Sequence, residues 1–94
     1  MNIPPAMSEI TKNFHQDIFL LETTLDGIVN YGIRSLSSSD AKEAKHFLTS
    51  LLDGSNDTRT IRNIWDSLPK DIRIDNDQEV IEFLKHIRDA LPTA

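Results

Sequence analysis

Three histidines, His15, His46 and His86, are the first candidates for metal ligation or proton transfer in this sequence of 94 residues. His46 and His86 each stand alone on a helical pattern, without a second histidine four residues away to share a face. His15 and Asp17 are two apart, a spacing that chelates only in an extended segment, and no second pair accompanies them. Asp75-Asn76-Asp77 resembles the opening of a calcium loop, but the glycine of the sixth position is missing and Glu82 is misplaced for the twelfth. The same residues make a good anionic start to a helix. Ser37-Ser38-Ser39 lies where a helix should begin rather than in a strand-to-helix elbow, so it offers no activated nucleophile. Glycines stand singly at positions 27, 32 and 54, which leaves no phosphate-cradling loop, and there is no cysteine. Neither a catalytic centre, a metal site nor a cofactor is expected.

What remains is charge. Ten basic and fifteen acidic residues give a net of −5, unevenly spread. Residues 1–33 carry Lys12 against Glu9, Asp17, Glu22 and Asp26, a local net of −3. Residues 71–82 carry Arg73 against Asp71, Asp75, Asp77, Glu79 and Glu82, a local net of −4. Such a surface repels phosphates, so nucleic acid is not the expected partner, while a basic protein would be steered toward it. Arg59 and Arg62 are offset by Asp57 and Asp66 and read as a solvated face. Ile18-Phe19-Leu20-Leu21 is the longest apolar run, far short of the roughly 20 residues of a membrane helix. With no secretory-type leader in Met1 to Ile10, a cytoplasmic location is expected.

The elements that must carry these residues read as helices throughout. Met1-Asn2-Ile3-Pro4-Pro5-Ala6 reads as a loose lead-in up to Met7, with Ser8, Glu9 and Thr11 opening a first short helix. Thr23 or Thr24 caps a helix in which Leu25, Ile28, Val29, Ile33 and Leu36 share one face, and Gly27 and Gly32 suggest close packing. Asp40 with Glu43 forms a capping pair for a helix burying Ala44, Phe47, Leu48, Leu51 and Leu52, with Gly54 at its left-handed end. Asp57 caps a helix holding Ile61, Ile64, Trp65 and Leu68, ended by Pro69. Asn76 with Glu79 opens the last, in which Val80, Phe83, Leu84, Ile87 and Leu91 keep helical spacing before Pro92. Ile72-Arg73-Ile74 between them alternates and suits a short extended piece. The expectation is one all-α domain over residues 1–94, a compact bundle of four to five short helices. Trp65 falls on the core face, whereas Tyr31 lies off the apolar stripe and is the better candidate for an exposed contact.

Asn13-Phe14-His15-Gln16-Asp17 contains a Phe-His-Gln-Asp motif, and with it the chain resembles the immunity proteins of contact-dependent growth inhibition systems. The similarity extends over residues 13–91. It takes in the helix from Thr24 to Leu36, the leucine-ended helix from Ala44 to Leu52, Ile64-Trp65, and the final F-L-x-x-I-R-x-x-L pattern from Phe83 to Leu91. The chain departs from many such relatives after Asp17, where Ile18 to Leu21 is followed by Glu22-Thr23 rather than a tyrosine-containing turn. The resemblance implies a non-enzymatic inhibitor that binds the C-terminal toxin domain of a large effector one-to-one. The toxin would be a nuclease, with a ribonuclease favoured, whose basic cleft is blocked. Asp71, Asp75, Asp77, Glu79, Glu82 and Tyr31 are then the candidate partner-binding residues. Phe14, His15, Gln16 and Asp17 read as a fold element, with Phe14 packed and the polar three forming local hydrogen bonds. The alternative is a small helical adaptor with no toxin partner.

Overall fold

Two adjacent prolines begin the first helix rather than preventing it. In the computed structural model, which describes residues 2–15 and 17–92, α1 spans Pro5–Thr11 with Pro5 in its first turn. An amide there would have no intrahelical acceptor, and the fixed φ of proline is already helical. Ala6 and Met7 are buried, so the expected lead-in over residues 1–7 is corrected from residue 5 onward, and the helix opens before Ser8. The other helical elements are α2 (Ile18–Leu21, a single turn), α3 (Leu25–Ile33), α4 (Ser38–Leu51), α5 (Thr58–Ser67) and α6 (Asp77–Ala90). The expected all-α bundle is therefore observed: five helices of seven residues or more, with no strand among the described residues.

Side-chain oxygens start four of these helices. Thr24, Asp57 and Asn76 accept from the backbone N–H groups of Gly27, Thr60 and Glu79, at 3.0, 2.8 and 3.1 Å. The start of α4 differs from expectation: Ser37, not Asp40, is its cap, accepting from the Asp40 amide at 3.1 Å. The earlier of two competing caps adds a full turn of backbone hydrogen bonds, and Asp40 still complements the helix dipole from that turn. At the other end of α4, Gly54 takes φ of +100°, a conformation that disfavours any side chain.

Helix α6 is the hub. It packs against α3, α4 and α5, while α1 closes the other side by packing on α3 and α4. Val80, Phe83, Leu84, Ile87 and Leu91 from α6 meet Trp65, Leu48, Leu51, Ile28 and Val29 in one core. Phe83 sits between two aromatic neighbours, with edge-to-face centroid distances of 5.2 Å to Phe14 and 5.6 Å to Trp65. The radius of gyration of 12.3 Å is what a folded single domain of this length should have. Leu25, expected on the core face, is instead 38% exposed at the rim, one turn outside Ile28.

Phe14 shows why α3 contains a glycine. A Cβ placed on Gly32 would lie 2.7 and 2.9 Å from two carbons of the Phe14 ring. The ring is wholly buried and held edge-on by Phe83, so it has no room to swing away. Gly32→Ala gains about 1 kcal/mol of helix propensity, but overpacking of a fixed aromatic costs typically about 1–3 kcal/mol. The variant is expected to be net destabilised by about 1 kcal/mol in urea unfolding, a balance of those two terms. A gain in stability would mean the ring can move.

Thr11 presents the opposite case. It is fully buried, and its hydroxyl is the one buried side-chain polar group without a hydrogen-bond partner among the described residues. Leaving such a group unpaired costs about 1–3 kcal/mol, and valine has nearly the same shape. Thr11→Val is expected to raise the thermal midpoint by several degrees, at about 4–8 °C per kcal/mol. A midpoint that falls would show the hydroxyl to be satisfied in solution.

Candidate functional site

The expected acidic segment joins two structural elements. Asp71, Arg73 and Asp75 belong to the extended strap between α5 and α6, where Ile72 and Ile74 point partly into the core as alternation requires. Asp77, Glu79 and Glu82 belong to the first turns of α6. The strap is tied at its start, where the Asp71 amide donates to the Phe14 carbonyl at 2.8 Å. It is tied again at its end, where the Arg62 guanidinium donates to the Asp75 carbonyl at 3.4 Å and to Asp77 Oδ1 at 3.3 Å. All five carboxylates are exposed.

They are not equally unpaired. Arg73 Nε lies 2.6 Å from Asp75 Oδ1, and Arg62 bridges Asp77 and Asp66. Glu82 has Lys85 at 3.7 Å and accepts from Gln78 at 3.1 Å. Asp71 and Glu79 make no ion pair among the described residues. The exposed pairs are worth little, about 0–1 kcal/mol each, so a cationic partner can replace them at small cost.

Beside this segment, Leu25, Ile74 and Phe83 line a shallow hollow of about 250 Å³ with Glu79 and Glu82. Asp26, next to Leu25, adds a further carboxylate, 3.7 Å from the His86 ring nitrogen. A few residues before the hollow, Leu20 and Leu21 of α2 are 84% and 58% exposed. Two larger hollows, of about 580 and 470 Å³, lie on the outer face of α4. They share Glu43 and His46 and are closed by Pro92 and by Ile3, Pro4 and Pro5 respectively. Among the described residues no three His, Asp or Glu side chains converge as a metal site would require, and no helix is long and apolar enough to cross a membrane.

Tyr31 is placed differently from expectation. It is partly buried against the core, with the Arg34 guanidinium 4.1 Å above its ring and His15 edge-on at 6.4 Å. A cation already covers its face, so it is less available as an anchor than its position off the stripe implied.

The motif residues divide. Phe14 is buried, as expected of a fold element, and its carbonyl holds the strap. Of the polar residues, His15 and Asp17 hydrogen-bond through their backbones: the His15 carbonyl accepts from Ile18 and the Asp17 carbonyl from Leu20, both at 3.0 Å. The Asp17 side chain makes no capping bond to α2. Gln16 lies outside the described residues. Asn13, just before the motif, donates from its side chain to the Glu9 and Gly32 carbonyls and so joins α1 to α3.

Three basic residues have structural roles that the sequence does not reveal. Arg62, expected on a solvated face, is partly buried and clamps the start of α6. Lys45 reaches from α4 to the far end of α6, donating to the Arg88 and Leu91 carbonyls at 2.8 and 3.3 Å. A cation at a helix C-terminus satisfies carbonyls that have no intrahelical donor. Lys70 does the same for α5, bonding the Trp65 and Leu68 carbonyls with its ammonium 4.7 Å from the Trp65 ring centroid. Burial pushes the Lys70 amine below its ordinary value, with Asp66 opposing and Arg62 adding to the shift.

The cap of α5 gives a pH signature. The hydroxyl and then the amide of Thr60 hold the Asp57 carboxyl below its ordinary value of 3.8. Its unfolded form therefore binds a proton more readily, and the stability it contributes is present above pH 3.8 and lost as pH falls through the folded value. Asp57→Asn keeps a capping oxygen and removes the titration. It is expected to leave stability near neutral pH almost unchanged and to flatten the acid limb of the pH–stability curve. An identical acid limb in both proteins would overturn this.

No protein-family model matches this chain, and no curated protein and no solved structure matches it.

Proposed function

We propose that this chain is a non-catalytic inhibitor: an immunity protein that binds the toxin domain of a contact-dependent growth inhibition effector. The toxin is a nuclease, with a ribonuclease favoured, and the complex is one-to-one. The observation that carries the reading is the exposed carboxylate surface on the strap and first turns of α6, backed by an apolar hollow. A nuclease must attract phosphates and so presents cations around its cleft. Asp71, Asp75, Asp77, Glu79 and Glu82 offer those cations carboxylates in place of phosphates, and the hollow adds apolar area that a purely electrostatic contact lacks. The Phe-His-Gln-Asp motif, in which Phe14 packs inside and braces the strap, fits a scaffold element kept while the binding surface varies.

The test is rescue. The C-terminal domain of the large protein encoded directly upstream is expressed with and without this chain, and growth is followed. Toxicity relieved only by co-expression is the expected result, after which tRNA, rRNA and DNA integrity in unprotected cells identifies the reaction. A toxic domain that this chain fails to neutralise, or the lack of any toxic neighbour, would overturn the reading and favour an adaptor without a toxin.

A further inference from the structure

We propose that the hollow between α3, the strap and α6 is a socket for one arginine side chain of the partner. Its walls are apolar: Leu25 from the start of α3, Ile74 from the strap and Phe83 from α6. Its rim is anionic: Glu79 and Glu82 stand three residues apart on α6, a spacing that places both on one face about 5–6 Å apart at Cβ. At about 250 Å³ it is smaller than the 300–1,000 Å³ usual for small-molecule sites, and suits a single long side chain.

Arginine matches both parts. Its aliphatic stem can lie along leucine, isoleucine and phenylalanine while its head remains at the rim. The planar guanidinium presents five donors in a fixed fork and so can bond two separated carboxylates together, which the point charge of lysine does less well. Glu79 makes no ion pair among the described residues, and Glu82 is held only by the exposed Lys85 and Gln78 contacts. Arg73 and Asp75, paired with each other, flank Ile74 on the strap, Glu22 lies beside Gly27 at the start of α3, and Lys85 and His86 follow on α6, where His86 already faces Asp26. The local excess of negative charge in residues 71–82 favours a cation over any neutral occupant of the same shape.

The partner's identity rests on the inhibitor reading above; the socket does not. Nα-acetyl-arginine methylamide is titrated into the ¹⁵N- and methyl-labelled protein, beside the corresponding lysine and norleucine derivatives. The expected result is saturable shifts centred on Leu25, Ile74 and Phe83 with arginine, weaker ones with lysine and none with norleucine. Glu79→Gln with Glu82→Gln should weaken arginine binding roughly three- to tenfold, the scale of two exposed charge pairs. Both side chains are exposed and the capping bond at Glu79 uses its backbone, so the variant keeps the fold. Shifts scattered over all acidic residues, equal binding of lysine, or no loss in the double variant would overturn the proposal. With a neutralised toxin in hand, unaltered protection by the double variant would remove the socket and leave the inhibitor reading standing. Arginine binding as expected, with no toxic neighbour, would do the reverse.

Discussion

Phe14→Ala is expected to lose about 3–5 kcal/mol, the cost of truncating a fully buried phenylalanine. The whole domain has only about 5–15 kcal/mol to lose. Three features place this residue toward the upper end. Its ring is wholly buried, it meets Phe83 edge-on at 5.2 Å, and α3 approaches so closely at Gly32 that only a glycine fits against it. Its backbone bonds to Thr11 and Asp71 do not depend on the side chain, so the chain path can survive while the cavity remains. That separation of effects makes the cavity hard to collapse. Urea unfolding followed by circular dichroism measures the loss, and Phe14→Leu should recover part of it. A loss below about 1 kcal/mol, the level of an ordinary surface change, would show that the ring is not the brace between α1, α3 and α6.

Reversal of Asp71, Asp75, Asp77 and Glu79 to lysine has the largest expected kinetic effect. Electrostatic steering changes association rates by roughly 10- to 1,000-fold, and the variant should associate with its toxin more slowly by a factor in that range at low salt. The effect exceeds simple neutralisation because each replacement turns a negative charge into a positive one, while Arg73 loses its partner Asp75 and Arg62 keeps only Asp66. Raising salt should slow the parent protein and speed the variant, so the two rates converge. Stopped-flow association across a salt series measures both slopes. Asp77 and Glu79 lie in the first turn of α6 and Asp77 pairs with Arg62, so urea unfolding of the variant is measured alongside and rates are compared where both proteins are fully folded. Unchanged association would remove this surface from the interface without touching the inhibitory role.

The helices were legible because local signals decided them. Asp57 and Asn76 combine a capping side chain with a following apolar period and cap where that combination predicts, and of the two threonines offered for α3 it is Thr24 that caps. The cores of α4, α5 and α6 follow from spacing alone, since nothing distant competes with a strong amphipathic pattern. Local signals also explain the errors. Pro4-Pro5 reads as a break only if the amide they remove is needed, and in a first turn it is not. Ser37 and Asp40 offer equivalent capping chemistry, and the choice between them depends on how long a helix α1 and α6 can cover. The candidate site was legible as charge but not as shape. Arg62 meets Asp77 across 15 positions, and the hollow joins Leu25, Ile74 and Phe83 from three elements. Those pairings arise only when α3 and α5 both dock on α6, a long-range event that periodicity does not encode.

The two fastenings of α6 bear on how a partner would find this surface. Arg62 and Asn76 hold its first turn, and Lys45 holds its last carbonyls from a different helix. A helix secured at both ends has little freedom to fray, so its hydrogen-bonded amides from Val80 onward should exchange with solvent only by openings close to global unfolding. The carboxylates of Glu79 and Glu82 therefore ride on a platform that is already ordered before any encounter. Binding there need not be coupled to folding of this chain, and the conformational entropy that disordered inhibitors surrender on capture has been expended at synthesis.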